Sequence, residues 1–259
     1  MSLTVPVIDI HAFLDTSSAN ESARAAVAQQ ATIKGAFAAA KEYFDQSTKE
    51  KQHVSMSPSY PYGYECGEIL SKSREEGTEE SKADLKETFQ ICIGAEGKTP
   101  VFIDNHMSSL RILNYPHQDR APGSSEQIRA SAHTDYGSLT ILAVDDAPGG
   151  LQVRDRDGQW HSVKAPAGSF IVNLGDLMNC WTNEQWCSTM HRVVNPPPTA
   201  ESVENNRRQS IAFFHCINSD TVVKCIESCQ SEDNPAKYEP VLAGEYLMAK
   251  HNAAQGHKK

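Results

Sequence analysis

The feature that most constrains this chain is a cadence of short β-rich runs over its second half. They lie at 109–115 (SLRILNY), 138–144 (SLTILAV), 150–154 (GLQVR), 159–163 (QWHSV), 168–174 (GSFIVNL), 190–194 (MHRVV) and 208–214 (RQSIAFF), with Gly, Pro and Asn between them. Runs this short, joined by turn signals such as Asp157-Gly158, predict antiparallel strands closing into a sandwich or barrel. No fixed-period repeat is present. The rest of the chain reads differently. Val5 to Ile10 predicts a first strand, and Glu21 to Gln52 a helix, with Ile33, Phe37, Ala40 and Phe44 at helical spacing. Ser57 to Gly67 reads as a Tyr-rich loop and Ser71 to Lys86 as a charged, mobile stretch. After a loop holding Pro235 and Pro240, a helix is predicted from Leu242 to Ala254. The expected class is α+β: a jelly-roll core with a helical N-terminal part (1–100) and a C-terminal helix closing the main domain (101–259).

Composition narrows the function. The 259 residues carry a net charge of −9 with no block of Lys or Arg, which argues against nucleic acid or an anionic membrane as partner. An anionic small substrate would therefore need a specific cation in its pocket. No run approaches the roughly 20 apolar residues of a membrane span, and Pro6 and Asp9 stand where a secretion signal would be apolar. Seven cysteines without a C-x-x-C pair predict free thiols and a cytoplasmic chain.

Candidate chemistry begins at His133 and Asp135, two apart before a strong strand and so expected on one strand face. With 10 His and 33 acids in the chain, chance supplies roughly one such pair. A second does occur, His117 and Asp119, in a turn-rich loop that would not hold its side chains in register. The first pair gains weight from His191, which opens the run MHRVV several strands later. Two imidazoles and one carboxylate on one side of a metal leave adjacent sites open and suit non-haem Fe(II) oxygen chemistry. A zinc hydrolase could use the same ligands, but no general-base Glu accompanies either histidine. Cys180 and Cys187, close to His191, read as packing. Arg208 and Ser210 share a strand face, and a guanidinium there has to be paired, either with a ligand carboxylate or with an internal acid. Arg129 and Ser131 have the same spacing but read as loop residues without a role. Tyr60, Tyr62 and Tyr64 are candidates either for the pocket mouth or for turn stabilisation.

The motifs SLRILNYP, AHTDYGSLTIL, GGLQV, GSFIVNLGDLMNCWTN, STMHRVVNPP and RRQSIAFFHCIN, in this order, resemble the iron- and 2-oxoglutarate-dependent dioxygenases of the isopenicillin N synthase-like group. VPVIDI and DNPAKYEPVLAGEYL resemble that group's two ends. The resemblance implies a double-stranded β-helix in which His133, Asp135 and His191 hold Fe(II). It also implies that Arg208 and Ser210, helped by the Tyr115 hydroxyl, bind the distal carboxylate of 2-oxoglutarate. The implied activity is O2-dependent hydroxylation, desaturation or cyclisation of a small molecule, with release of succinate and CO2. Two departures stand against it. Lys34-Gly35 runs straight into Ala36-Phe37, where the group has a strand and an Asn-His-Gly turn, and a long helix that covers the major sheet is missing after Thr99-Pro100. A shortened, inactive relative that binds metal or partners without turnover is therefore the alternative.

Overall fold

The computed structural model describes residues 19–57, 62–67, 84–92, 107–118, 128–147, 149–196 and 205–254. The expected strand at Val5–Ile10, most of the charged stretch after Ser71 and the junction at Thr99-Pro100 lie outside these residues.

Helix α1 (Ala19–Phe44) runs unbroken through Gly35, so the junction at Lys34-Gly35 is helical throughout. The helical pattern expected to reach Gln52 is interrupted after Phe44. Ser47 starts a new helix, α2 (Thr48–Gln52), with a capping box: its Oγ accepts the Glu50 amide while the Glu50 carboxylate accepts the Ser47 amide. The last turn of α1 buries Ala40 and Phe44 against Tyr64, Phe89 and Ile112.

Twelve strands follow: β1 (Gly63–Cys66), β2 (Glu87–Cys92), β3 (Ser109–Tyr115), β4 (Ala130–His133), β5 (Leu139–Val144), β6 (Leu151–Arg154), β7 (Trp160–Ser162), β8 (Ile171–Leu174), β9 (His191–Val193), β10 (Arg208–His215), β11 (Val222–Val223) and β12 (Val241–Leu242). The six-stranded sheet has the order β1-β2-β3-β10-β5-β8 and the four-stranded sheet β4-β9-β6-β7, every pair antiparallel. Their facing sides form the jelly-roll core, where Tyr115 from one sheet packs with Ala130, Leu151 and Val193 from the other. Helix α3 (Asp176–Trp181) leaves the end of β8, and α4 (Ala243–Ala254) closes the described chain. A second cluster around Leu177, Val223, Ala243 and Leu247 binds these two helices together.

All seven sequence-predicted runs contain a strand, because period-two alternation is set locally. Three expectations are corrected. Within the Tyr-rich loop, Gly63–Cys66 is a strand that adds to the sheet edge through β2, and Tyr62 and Tyr64 are buried rather than lining the pocket; Tyr60 lies outside the described residues. Asp84 and Lys86, at the end of the charged stretch, are buried and paired at 3.1 Å. Arg129 and Ser131 read as loop residues, yet Ser131 lies within strand β4, which pairs with β9 across a register shift. Among the described residues, α1 covers the outer face of the large sheet at Phe89 and Ile112, while Ile91 and Val172 are 39% and 61% exposed.

Candidate active site

Pairing of β4 with β9 sets His133 opposite His191, and their rings lie 4.2 Å apart. Each imidazole donates Nδ1–H to the backbone oxygen two residues earlier, Ser131 at 2.7 Å and Thr189 at 3.0 Å. This fixes the tautomer and leaves each Nε2 lone pair for a ligand. Asp135 lies beyond the end of β4, in the turn that follows, not on a strand face with His133 as the sequence predicts. Its position is set by close packing of that turn on the start of α3. The Asp176 amide donates to the Asp135 oxygen at 2.7 Å, and the Leu177 amide to the Gly137 oxygen. Gly175 is required there, since a Cβ would sit 2.3 Å from the Gly137 oxygen.

Asp135 Oδ2 accepts from Thr140 Oγ1 on β5 and Asn173 Nδ2 on β8. One donor atom from each of His133, Asp135 and His191 lies within 4.8 Å of the others, the sole such cluster among the described residues. Burial first, then the neighbouring His191, pushes His133 down to about 3, so the imidazole is neutral, as a metal ligand must be. Burial opposes charge on Asp135, yet the two imidazoles and the Asn173 and Thr140 hydrogen bonds hold it below the usual carboxylate value. Two imidazoles and one carboxylate gathered in this way are a donor set that fits Fe(II).

These groups line a cavity of about 1420 Å3 between the sheets. Tyr115, Arg208 and Ser210 line it too, all 4% exposed or less. Arg208 registers with Tyr115 across β10 and β3, its guanidinium lies 5.1 Å over the Tyr115 ring, and Nη1 donates to Ser210 Oγ at 3.4 Å. Among the described residues Arg208 forms no ion pair, so the internal-acid alternative finds no partner there. A planar cation facing a cavity beside a metal-ligand cluster can take a carboxylate. Arg111, Gln90, Met107, Tyr136, Leu247 and His251 are also among its lining residues, so α4 contributes directly to the cavity.

His117 does not join the cluster; its Nδ1 accepts the Asn206 amide at 3.1 Å, and Asp119 lies outside the described residues. Cys180 packs on the core of the two C-terminal helices and Cys187 is exposed. Sequence reasoning missed Thr140 and Asn173. Their signal was a polar residue at alternate positions of otherwise apolar strands. It also dismissed Arg129 and Ser131: Arg129 is fully buried, and Ser131 holds Asp84 through its amide and hydroxyl.

Residues 107–217 match the family model described as the 2OG-Fe(II) oxygenase superfamily. The chain is similar to homoarginine-6-hydroxylase 2-ODD-233 of Oryza sativa subsp. japonica, 37% identical over 142 residues, which cover 54% of this chain and 41% of that protein. It is also similar to the 2-oxoglutarate-Fe(II) type oxidoreductase hxnY of Emericella nidulans, 34% identical over 58% of this chain and 41% of that protein. The matches thus span about two fifths of the length of these curated relatives. Among solved structures, a full-length Neurospora crassa protein in complex with alpha-KG and thymine superimposes with a TM-score of 0.72 at 25% identity, covering 85% of this chain and 83% of that one. A 2OG-Fe(II) oxygenase family protein from Caulobacter crescentus gives 0.69 at 26%, covering 86% of both.

Proposed function

We propose that this chain, whose residues 107–217 match the 2OG-Fe(II) oxygenase superfamily, is a non-haem iron(II)- and 2-oxoglutarate-dependent oxygenase that hydroxylates, desaturates or cyclises a small molecule. The observation that carries the reading is the convergence of His133, Asp135 and His191 on the wall of the same cavity that Arg208, Ser210 and Tyr115 line. On this reading residues 101–259 form the oxygenase domain, and residues 1–100 an N-terminal region that adds α1, β1 and β2 to it.

When bound, iron(II) with 2-oxoglutarate and O2 supplies oxidising chemistry that side chains lack, with succinate and CO2 released. The protein's part is positional. His133, Asp135 and His191 would hold the metal from one side, the imidazoles locked by the Ser131 and Thr189 carbonyls and the carboxylate by Thr140 and Asn173. Arg208 would take the distal carboxylate of 2-oxoglutarate by charge-assisted hydrogen bonds, with hydroxyl donation from Ser210 and Tyr115. The small-molecule substrate would then occupy the wall lined by Arg111, Tyr136 and α4.

The inactive-relative reading is not favoured, since every ligand and anchor position is filled with a competent side chain. No helix among the described residues is long and apolar enough to cross a membrane. The free thiols of Cys66, Cys180, Cys187, Cys216, Cys225 and Cys229 support a reducing, cytoplasmic setting. The test is succinate release from 2-oxoglutarate by anaerobically iron-loaded protein on admission of O2, across a panel of small molecules. Release that requires iron and vanishes in His133→Ala is the expected result; a His133→Ala protein turning over at the wild-type rate would refute the ligand assignment.

A further inference from the structure

A second guanidinium, Arg129, is held on Asn206, two residues before Arg208, and the proposed function assigns it no part. Arg129, immediately before β4, is 0% exposed. Its Nε donates to Asn195 Oδ1 at 3.1 Å, and Nη2 donates to the Asn206 backbone oxygen at 2.5 Å and to Asn206 Oδ1 at 2.8 Å. Nη1 has no hydrogen-bond partner among the described residues. All three acceptors are neutral. They hold the planar fork in place without cancelling its charge.

Arg208 is close enough that its positive charge, after burial, pulls the Arg129 guanidinium down to about 10. The acid that both feel is Asp145, whose oxygens accept the Gln209 and Ala147 amides, and among the described residues it forms an ion pair with neither arginine. Two desolvated cations at one end of a cavity, with no ion pair on either, form a costly arrangement unless an anion is bound there. Arg129 itself does not line the cavity, so it cannot be the group that touches that anion.

We propose that Arg129 is a positioning residue for the cosubstrate: it adds a second buried positive charge near Arg208, so that this end of the cavity selects a 2-oxo acid bearing a distal carboxylate over one without. The inference rests on the proposed cosubstrate and deepens that reading. A carboxylate placed on Arg208 would lower the field at Arg129 as well, so the anchor responds to the ligand's second charge through two guanidiniums, not one. Asn195 and Asn206 matter because they are amides; an acid in either place would neutralise Arg129 in the empty protein and remove the effect.

The test uses the full chain loaded with Mn(II), which permits binding without turnover. Calorimetric titration compares 2-oxoglutarate with 2-oxopentanoate, which lacks the distal carboxylate. Arg129→Met should cut the preference for 2-oxoglutarate about tenfold, the scale of one charge acting across a poorly screened interior, while 2-oxopentanoate binding stays within about twofold. Asn195→Asp keeps the guanidinium and its hydrogen bond but supplies an internal counter-charge, and it should reduce the preference in the same sense. It carries the test should Arg129→Met not fold. Arg129→Lys, which keeps the charge and loses the fork, should retain most of the preference. Equal weakening of both ligands, or an unchanged preference in Arg129→Met and Asn195→Asp, would overturn this inference alone. A wild-type Mn(II) protein that binds neither ligand would overturn the cosubstrate reading and this inference with it.

Discussion

Asp135 and Asn173 are joined by a 2.6 Å hydrogen bond that ties the turn after β4 to the far edge of the six-stranded sheet. Thr140 on β5 donates to the same oxygen at the same distance, which leaves Oδ1 turned toward His191, 3.8 Å from its Nε2. The carboxylate is thus divided, one oxygen held by the scaffold and one facing the ligand cluster. Thr140→Val and Asn173→Leu should each weaken metal binding by roughly 10–100-fold while the fold is kept, the usual effect of removing a partner that orients a ligand. Mn(II) titration checks this, and unchanged affinity in both variants would show that the two hydrogen bonds do not orient the ligand.

Arg208 separates cosubstrate from metal. Truncation to Met removes a buried cation from the carboxylate it would hold, which costs about 2 kcal/mol or more, roughly a 30-fold loss for 2-oxoglutarate. Metal affinity should be almost unaffected, because the ligand cluster rests on other strands. Equal losses of both, measured on one preparation, would contradict the assigned role.

Acid should destabilise the metal-free chain. His133 has an ordinary value of 6.5 and a folded value pushed down to about 3, so between those limits the unfolded state binds a proton that the native state does not. Stability therefore falls as pH drops through this window. Asp135, also held down, adds in the same direction below its ordinary 3.8. The urea midpoint of the metal-free protein should decline from pH 7 to pH 4, and His133→Asn should flatten that slope. A wild-type midpoint constant over this range would rule out the buried, neutral His133 as a source of acid sensitivity.

A further prediction concerns how α1 and α2 are fastened to the sheet. Lys51 is 5% exposed, and its Nζ donates to Glu87 Oε1 at 2.6 Å and to the Phe44 oxygen at 3.1 Å. Glu87 in turn accepts from the Tyr64 hydroxyl and Asn114 Nδ2. Lys51→Met would leave the Glu87 charge buried without its cation, at a cost of about 3 kcal/mol. The double variant Lys51→Met with Glu87→Gln should recover much of that loss. Denaturant unfolding of the two proteins checks the prediction, and a single variant as stable as wild type would show that the pair does not fasten these helices.

The strands that a linear reading missed share one physical property. ASAH at 130–133 is short and polar, and its Ser131 reads as loop, yet Ala130 and His133 pair with Val193 and His191. GYEC and ETFQIC are embedded in turn-rich and charged text, and they become strands because β3 offers an open edge to β2 and β2 to β1. Asp84 and Lys86 look solvated in sequence, but they satisfy each other in the interior, and Asp84 also accepts the Ser131 amide and hydroxyl.

By itself the sequence determined the class of the fold, the seven main strands, the C-terminal helix and the residue types that metal and carboxylate binding require. It could do so because alternation along a strand and the chemistry of an imidazole, a carboxylate or a guanidinium are properties of neighbouring residues. Only the tertiary structure decided that His133 faces His191 across two paired strands, that Thr140 and Asn173 hold one oxygen of Asp135, and that Arg129 is a buried cation rather than a loop residue. Those facts depend on contacts between positions far apart in the chain, and no local preference encodes which distant partner will satisfy a buried polar group.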